Sequence, residues 1–410
     1  MPDPSETRLF RARHVLPLSC PGIPDGAIAV RGSDILAVGR WQDLVSEHPA
    51  AARADLGEVI LLPGLINAHC HLDYTMMRSA LSGRGSFTSW IRRLNAMRRS
   101  LDTHDYLDAI AAGLAELHRW GCTGVLNIES FPEVLPFLPP SPIRVWWFLE
   151  VMDIRSRLGS EDSLAGAIRF LENAGDSEGA FGLSPHAPYT VSRELYSLSA
   201  EYAAHNRMPL CTHLAESAEE MAMFARGEGE LHDFLEGLGR PMGDCGGTTP
   251  VQAVIGQGWL PRGSLLVHMN CLTSADKSLL RSTAGDYPVI HCPRTHAFFG
   301  RDRFDLEFFR DSGIPLLLGT DSLASNRDLD MFSEMRAMAD AFPALTPGEI
   351  LRMVTRAPAS AIGRRGRLGE LSAGALADFI AIPWEGKSTK IEELVLANRT
   401  PPAVWISGKS

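Results

Sequence analysis

Two histidines one residue apart, His69 and His71, close an apolar run that Pro63-Gly64 interrupts. In extended backbone, residues i and i+2 point to the same side, so the two imidazoles converge on one point from a strand end. Imidazole suits zinc, iron, copper or nickel. Cys70 between them points the other way by the same alternation and is not a ligand. The plainer alternative is two unrelated polar residues on a strand terminus. His213 ends Leu210-Cys211-Thr212, and Glu216 follows three residues later. A helical turn starting there would face i and i+3 the same way, setting the acid beside an ion without binding it. Alternatively, Glu216 is an acid drawn to a helix N-terminus, as Glu219 and Glu220 would be. Asp321 closes Leu316-Leu317-Leu318-Gly319-Thr320. A buried carboxylate needs a partner, which a cation supplies, unless Asp321 caps the next helix. Three histidines and one aspartate leave room for a water, whose pKa falls towards ~7 on a metal. His268, ending Leu265-Leu266-Val267, is placed to hold that water or a developing oxyanion, unless it is a hydrogen-bonded core histidine.

These residues need strand ends to carry them, and the sequence supplies eight. Apolar runs at Val59–Ile66, 124–128, Ile143–Leu149, Phe181–Leu183, 209–212, Ser264–Val267, 288–290 and Pro315–Leu318 are each followed closely by a titratable residue. These are His69, Glu129, Glu150, His186, His213, His268, His291 and Asp321. Near-continuous apolar runs suit buried parallel strands, and function collects at the C-terminal strand ends of a TIM-type barrel. Helical stretches alternate with the runs. Leu107, Ile110, Leu114 and Leu117 share a stripe closed by Gly121, and Thr346-Pro347-Gly348-Glu349 has capping-box chemistry. The expectation is an α/β chain with a (β/α)8 TIM-type barrel over residues 63–365. Both ends read as short strands and turns, such as Ala27–Val30 and Ile35–Val38 around Arg31–Asp34, then 369–382 and Val404–Ile406. Residues 1–62 plus 366–410 are therefore expected to build one small composite β-sandwich domain. Pro132–Pro142 reads as a loop.

Composition narrows the function. The 410 residues carry 39 basic against 49 acidic side chains, a net charge of -10, which disfavours nucleic acid or an anionic membrane as partner. No run reaches the ~18 apolar residues of a membrane span, and Met1–Arg8 has no apolar signal core, so a cytoplasmic protein is expected. Seven scattered cysteines contain no Cys-x-x-Cys pair, so neither a disulfide framework nor a zinc knuckle is indicated. A homodimer is a common state for chains of this size.

Taken together, Pro63-Gly64-Leu65-Ile66-Asn67-Ala68-His69-Cys70-His71, His213-x-x-Glu216, His268 and Gly319-Thr320-Asp321 resemble the amidohydrolase superfamily, in its deaminase and chlorohydrolase branch. The resemblance spans nearly the whole chain. It implies that His69, His71, His213 and Asp321 bind one divalent ion, zinc or ferrous iron. It also implies that Glu216 shuttles protons and that His268 orients the water, with His268 and Asp321 stabilising the intermediate. Members with two metals often use a carboxylated lysine after the fourth strand. Here that position reads Leu183-Ser184-Pro185-His186, and none of the four lysines ends a strand, which favours a single ion.

The implied reaction is hydrolytic deamination of a small aminated heterocycle, with water attacking an sp² ring carbon and ammonia leaving. His186, in His186-Ala187-Pro188-Tyr189, resembles a substrate-contacting histidine of the branch, or else simply bonds a neighbouring loop. The Gly319–Asn326 stretch is similar to deaminases of methylthioadenosine, S-adenosylhomocysteine and aminodeoxyfutalosine. Cys292-Pro293-Arg294-Thr295-His296-Ala297-Phe298-Phe299-Gly300 looks more like guanine deaminases and formiminoglutamate deiminases, making Arg294, His296 and Phe298 candidates for reading the ring. A triazine-type chlorohydrolase or aminohydrolase shares the ligand set, and a silent interaction module would be expected to lose it. Between Trp90 and Leu101 the chain carries Asn95, Arg98 and Arg99 and no acid to grip a ribose, which suits an anionic substrate.

Overall fold

The computed structural model describes residues 6–138, 140–154, 159–173, 180–283, 285–386 and 390–409. Pro139 of the proline-rich stretch and Met1–Ser5 lie outside them. Contacts divide the chain into two units. One comprises residues 1–68, 114–125 and 329–410, the other residues 69–113 and 126–328.

The first unit is built on one seven-stranded sheet drawn from both ends of the chain. Thr7–Val15 lies at its middle, antiparallel to Ile23–Arg31 on one side and parallel to Val59–Pro63 on the other. Ile23–Arg31 forms the expected hairpin with Asp34–Arg40. From the far end, Phe379–Pro383 pairs antiparallel with Val59–Pro63, and Ala403–Trp405 closes the edge. Alternation sorts the side chains: Phe10, Ala12, Ile28 and Phe379 join one apolar cluster, while Leu9, Ala27, Ala29 and Leu44 join another.

The other strands form two further sheets, parallel between Asp321–Ser322 and Leu65–His71 and between Arg144–Val151 and Ala180–Pro185 in the first, and throughout the second. Leu65–His71, Cys122–Glu129, Arg144–Val151 and Ala180–Pro185 run in that order in one sheet, with Asp321–Ser322 beside Leu65–His71. Cys211–Leu214, Leu265–His268, Val289–His291 and Leu316–Leu318 form a second sheet in sequence order. A parallel bridge between Leu183 and Leu210 links the fourth strand to the fifth. All eight expected runs are strands, with one correction. The run expected at Val59–Ile66 breaks at Gly64, so that Val59–Pro63 belongs to the antiparallel sheet and Leu65–His71 starts anew. A side chain at residue 64 would meet Thr123 at 2.2 Å, which is why glycine sits at the break. The Pro132–Pro142 stretch contains a 3₁₀ turn at Pro132–Phe137.

Candidate metal and proton-transfer site

The strand ends do bring the chemistry together. His69 and His71 leave the first strand on one side, both buried, as the two-residue period requires. The eighth strand approaches so closely that a side chain on Gly319 would meet the His69 backbone at 2.8 Å. Asp321 Oδ1 then lies 3.7 Å from His69 Nε2 and 3.9 Å from His71 Nε2. His213 comes from the fifth strand with its Nε2 3.3 Å from His71 Nε2. Its Nδ1 is 3.0 Å from the His186 carbonyl, which only accepts, so Nδ1 carries the proton and Nε2 offers a lone pair. Burial pushes the His213 pKa down to about 3 and that of His71 well below the ordinary histidine value, keeping both rings neutral. Burial works to raise the Asp321 pKa, but the neighbouring imidazoles of His69 and His213 and the N–H of Ser322 outweigh that and hold it below the ordinary value. Three imidazoles and one carboxylate, with the Nε2 atoms of His71 and His213 facing across a gap too short to share without a cation or proton between them, fit a divalent ion.

Backbone strain turns these side chains inward. Ala215, His268 and Asp321 have φ of 50°, 78° and 59°, in the left-handed region that non-glycine residues avoid. The bend at Ala215 corrects one expectation. Glu216 reaches the site on that bend, not on a helical turn, because the helix begins only at Ala218 with Ser217 as its cap. The three crowded acids have separate partners. Glu220 accepts from the N–H of Ala215 and Glu216, and Glu219 accepts from the N–H of Phe87. Glu216 turns Oε2 towards His268 Nε2 at 3.8 Å, and His268 Nε2 is 4.0 Å from Asp321 Oδ2. Burial raises the Glu216 pKa to about 8, against the downward pull of Arg301.

Arg301 was not anticipated from sequence. It donates from Nη2 to Glu216 Oε1 at 2.7 Å, and its guanidinium lies over the rings of Phe87 and Phe299 at 5.2 and 4.8 Å. Its signal lies in the Cys292–Gly300 segment singled out above, one residue beyond its end.

These groups open on a cavity of about 750 Å³. His71, His186, His213, Glu216, His268 and Asp321 line it, together with Tyr74, Arg98, Phe131, Glu150, Trp90 and Phe234. His186 is present as expected: its Nδ1 meets the Thr190 hydroxyl at 2.6 Å and its Nε2 is 3.8 Å from Glu150. The other three ring-reading candidates do not line the cavity. Arg294 forms a bidentate pair with Asp328 at 2.5 and 3.1 Å. His296 lies between Asn270 Oδ1 at 3.1 Å and the Asp302 carbonyl at 2.7 Å, and Asn270 in turn donates to the Glu216 carbonyl at 3.1 Å. Phe298 packs against the Gly83 backbone, and its neighbour Phe299 faces the cavity instead. The physical reason is helical. Residues 293–298 form a short helix, so consecutive side chains turn to different surroundings.

The model of the amidohydrolase family matches residues 60–410. The chain is 31% identical to the aminodeoxyfutalosine deaminase of Deinococcus radiodurans, over 83% of this chain and 82% of that one. Among solved structures, Helicobacter pylori aminofutalosine deaminase in complex with methylthio-coformycin is similar with a TM-score of 0.88 at 22% identity, covering 98% of this chain and 99% of that one. A zinc-bound adenosine deaminase from Xanthomonas campestris has a TM-score of 0.80 at 24% identity, covering 100% and 93%.

Proposed function

Because the chain belongs to the amidohydrolase family, we propose that it is a metal-dependent hydrolytic deaminase of an adenosine-type compound or related aminated heterocycle. The observation that carries the reading is the convergence of Glu216 Oε2, His268 Nε2 and Asp321 Oδ2 on one point beside the three-histidine set. His69, His71, His213 and Asp321 would hold one divalent ion, zinc by preference. Such an ion supplies Lewis acidity and a water acidified to near neutrality. The chain does the rest. Glu216, with Oε1 held by Arg301, takes a proton on Oε2 from the water and returns it to a ring nitrogen, which needs a carboxyl pKa near neutrality. His268 orients the water and, with Asp321, faces the charge that develops as the ring carbon becomes tetrahedral. His186, held by Thr190, presents Nε2 towards the substrate.

The same reading includes a (β/α)8 barrel over residues 63–365 and a β-sandwich from 1–62 with 366–410. The order of the eight strands supports the first, and the apolar clusters on both faces of the seven-stranded sheet support the second. Support for a guanine-type substrate falls away with Arg294, His296 and Phe298, which face elsewhere.

The test is ammonia release by metal-loaded protein from adenosine, methylthioadenosine, S-adenosylhomocysteine, aminodeoxyfutalosine, guanine and an aminotriazine. Glu216→Gln is the control. Ammonia from one of the first four compounds, abolished by the substitution, is the expected outcome. Chloride or alkylamine release without ammonia from any amino compound would sink the deaminase reading.

A further inference from the structure

The helix Phe87–Arg98 carries Arg92, Arg93 and Arg98 with no acid in its first turn, and Arg99 follows it. Arg92, Arg98 and Arg99 line the cavity. Elsewhere this acidic chain pairs its arginines near the site: Arg294 with Asp328, Arg301 with Glu216, Arg240 with Asp244. Among the described residues, none of the four arginines at 92, 93, 98 and 99 has a carboxylate within ion-pair distance. Arg93 donates to the carbonyls of Ser82 and Arg84.

Arg98 is the most constrained of them. Its guanidinium lies 4.7 Å from the Phe131 ring centre and 5.4 Å from that of Tyr74. The Tyr74 ring in turn stacks on His71 at 5.5 Å with 6° between planes. The guanidinium is thus held one ring, Tyr74, away from a proposed metal ligand, along one wall of the cavity. The acids nearest it are Asp73 and Glu150. Neither reaches ion-pair distance, and Glu150 accepts from the Ser130 hydroxyl at 2.8 Å and faces His186. A half-buried guanidinium retains strong donors that a charge-assisted bond would satisfy. A positive cluster at a cavity of a net-negative protein also concentrates anions there.

We propose that the Tyr74–Arg98–Phe131 wall is a subsite for an anionic substituent, carboxylate or phosphate, on the heterocycle that the enzyme deaminates. The proposal rests on the deaminase reading for the heterocycle but not for the anion. The amino-bearing ring would lie against His186, Glu216 and His268, and the substituent would reach along Tyr74 to Arg98. Arg99 and Arg92 serve as the cationic approach.

Two measurements test it on metal-loaded full-length protein. Calorimetry compares benzoate and phenyl phosphate with neutral benzamide, a ring of similar size without the charge. At least one anion is expected to bind about tenfold or more tighter than benzamide, the range of one charge-assisted hydrogen bond. That preference should disappear in Arg98→Met and persist in part in Arg98→Lys, with melting temperature as the check on folding. Anion binding that is equal in wild type and Arg98→Met belongs to the metal or the mouth, and overturns the proposal. The second measurement is the ratio of kcat/KM for adenosine 5′-carboxylate, or AMP, over 5′-deoxyadenosine. The ratio should exceed about ten and fall towards one in Arg98→Met. Turnover of all three with no Arg98-dependent preference sinks the subsite and leaves the deaminase. Arg98-dependent anion binding with no ammonia from any aminated compound sinks the deaminase and leaves the subsite.

Discussion

The metal-facing wall and the segment after the seventh strand make an instructive pair. Both were picked out by residue type, yet only the first converges as its sequence suggests. His69, His71, His213 and Asp321 sit at the ends of buried strands, where a two-residue period and a fixed register leave each side chain little choice of direction. Arg294, His296 and Phe298 sit on a six-residue helix, where neighbours diverge and tertiary partners decide. Strand-end chemistry can be read along the chain, and short-helix chemistry cannot without the partners.

The largest effect should fall on the first wall. Stripping the ion with a chelator, or Asp321→Asn, is expected to lower kcat/KM by about 10³ or more, the several kcal/mol of charge stabilisation a metal site supplies. Metal analysis of the variant should show reduced occupancy. Arg294→Met, on the second region, should change kcat/KM by less than about threefold, because it loses a partly buried pair outside the cavity. If Arg294→Met were the more damaging, the comparison would be reversed.

Next is Glu216→Gln. Its expected loss of kcat is about 10² to 10⁴, the span of general acid–base catalysis, with metal content unchanged. Loss of metal together with activity would make Glu216 a ligand and not a proton carrier.

Arg301 joins the two regions, since it leaves the end of the second to hold the acid of the first. Its charge pulls the Glu216 pKa down while burial pushes it up. Glu216 must be ionised to accept the first proton. Activity therefore rises with pH through the Glu216 titration, and removing Arg301 moves that limb to higher pH. Arg301→Met should lower kcat at neutral pH by about tenfold or more, since small displacements of a catalytic group cost up to about 10². Arg301→Lys should restore part of it. A pH profile unchanged in Arg301→Met would leave the arginine only a packing role on Phe87 and Phe299.

Much of this was legible in the chain because apolar runs announce buried strands and the residues that end them announce a site. The eight strands came from local pattern, and His69, His71, His213, His268 and Asp321 from that pattern together with the resemblance to the amidohydrolase superfamily. What escaped depended on backbone bends or distant partners. The break at Gly64 hid inside an apolar run because Thr123 packs against it. The bend at Ala215 is a left-handed turn at a residue with no preference for one, so a helical turn was the natural reading. Arg301 meets Glu216 across 85 residues and Arg294 meets Asp328 across 34, pairings that local periodicity does not encode.

The smallest predicted effect is the sharpest form of the comparison, because it sets two adjacent residues of one kind against each other. Phe299 lines the cavity and carries Arg301 on its ring, while Phe298 turns to the Gly83 backbone. A substrate ring resting on Phe299 would lose an aromatic contact in Phe299→Leu, about 0.5–1.5 kcal/mol, and KM should rise about twofold to tenfold. Phe298→Leu keeps apolar volume outside the cavity and should leave KM within about twofold. Melting temperatures of both variants separate this from general damage. Equal KM changes would mean that the whole segment shifts on substitution, and that its two phenylalanines cannot be assigned opposite directions in the working enzyme.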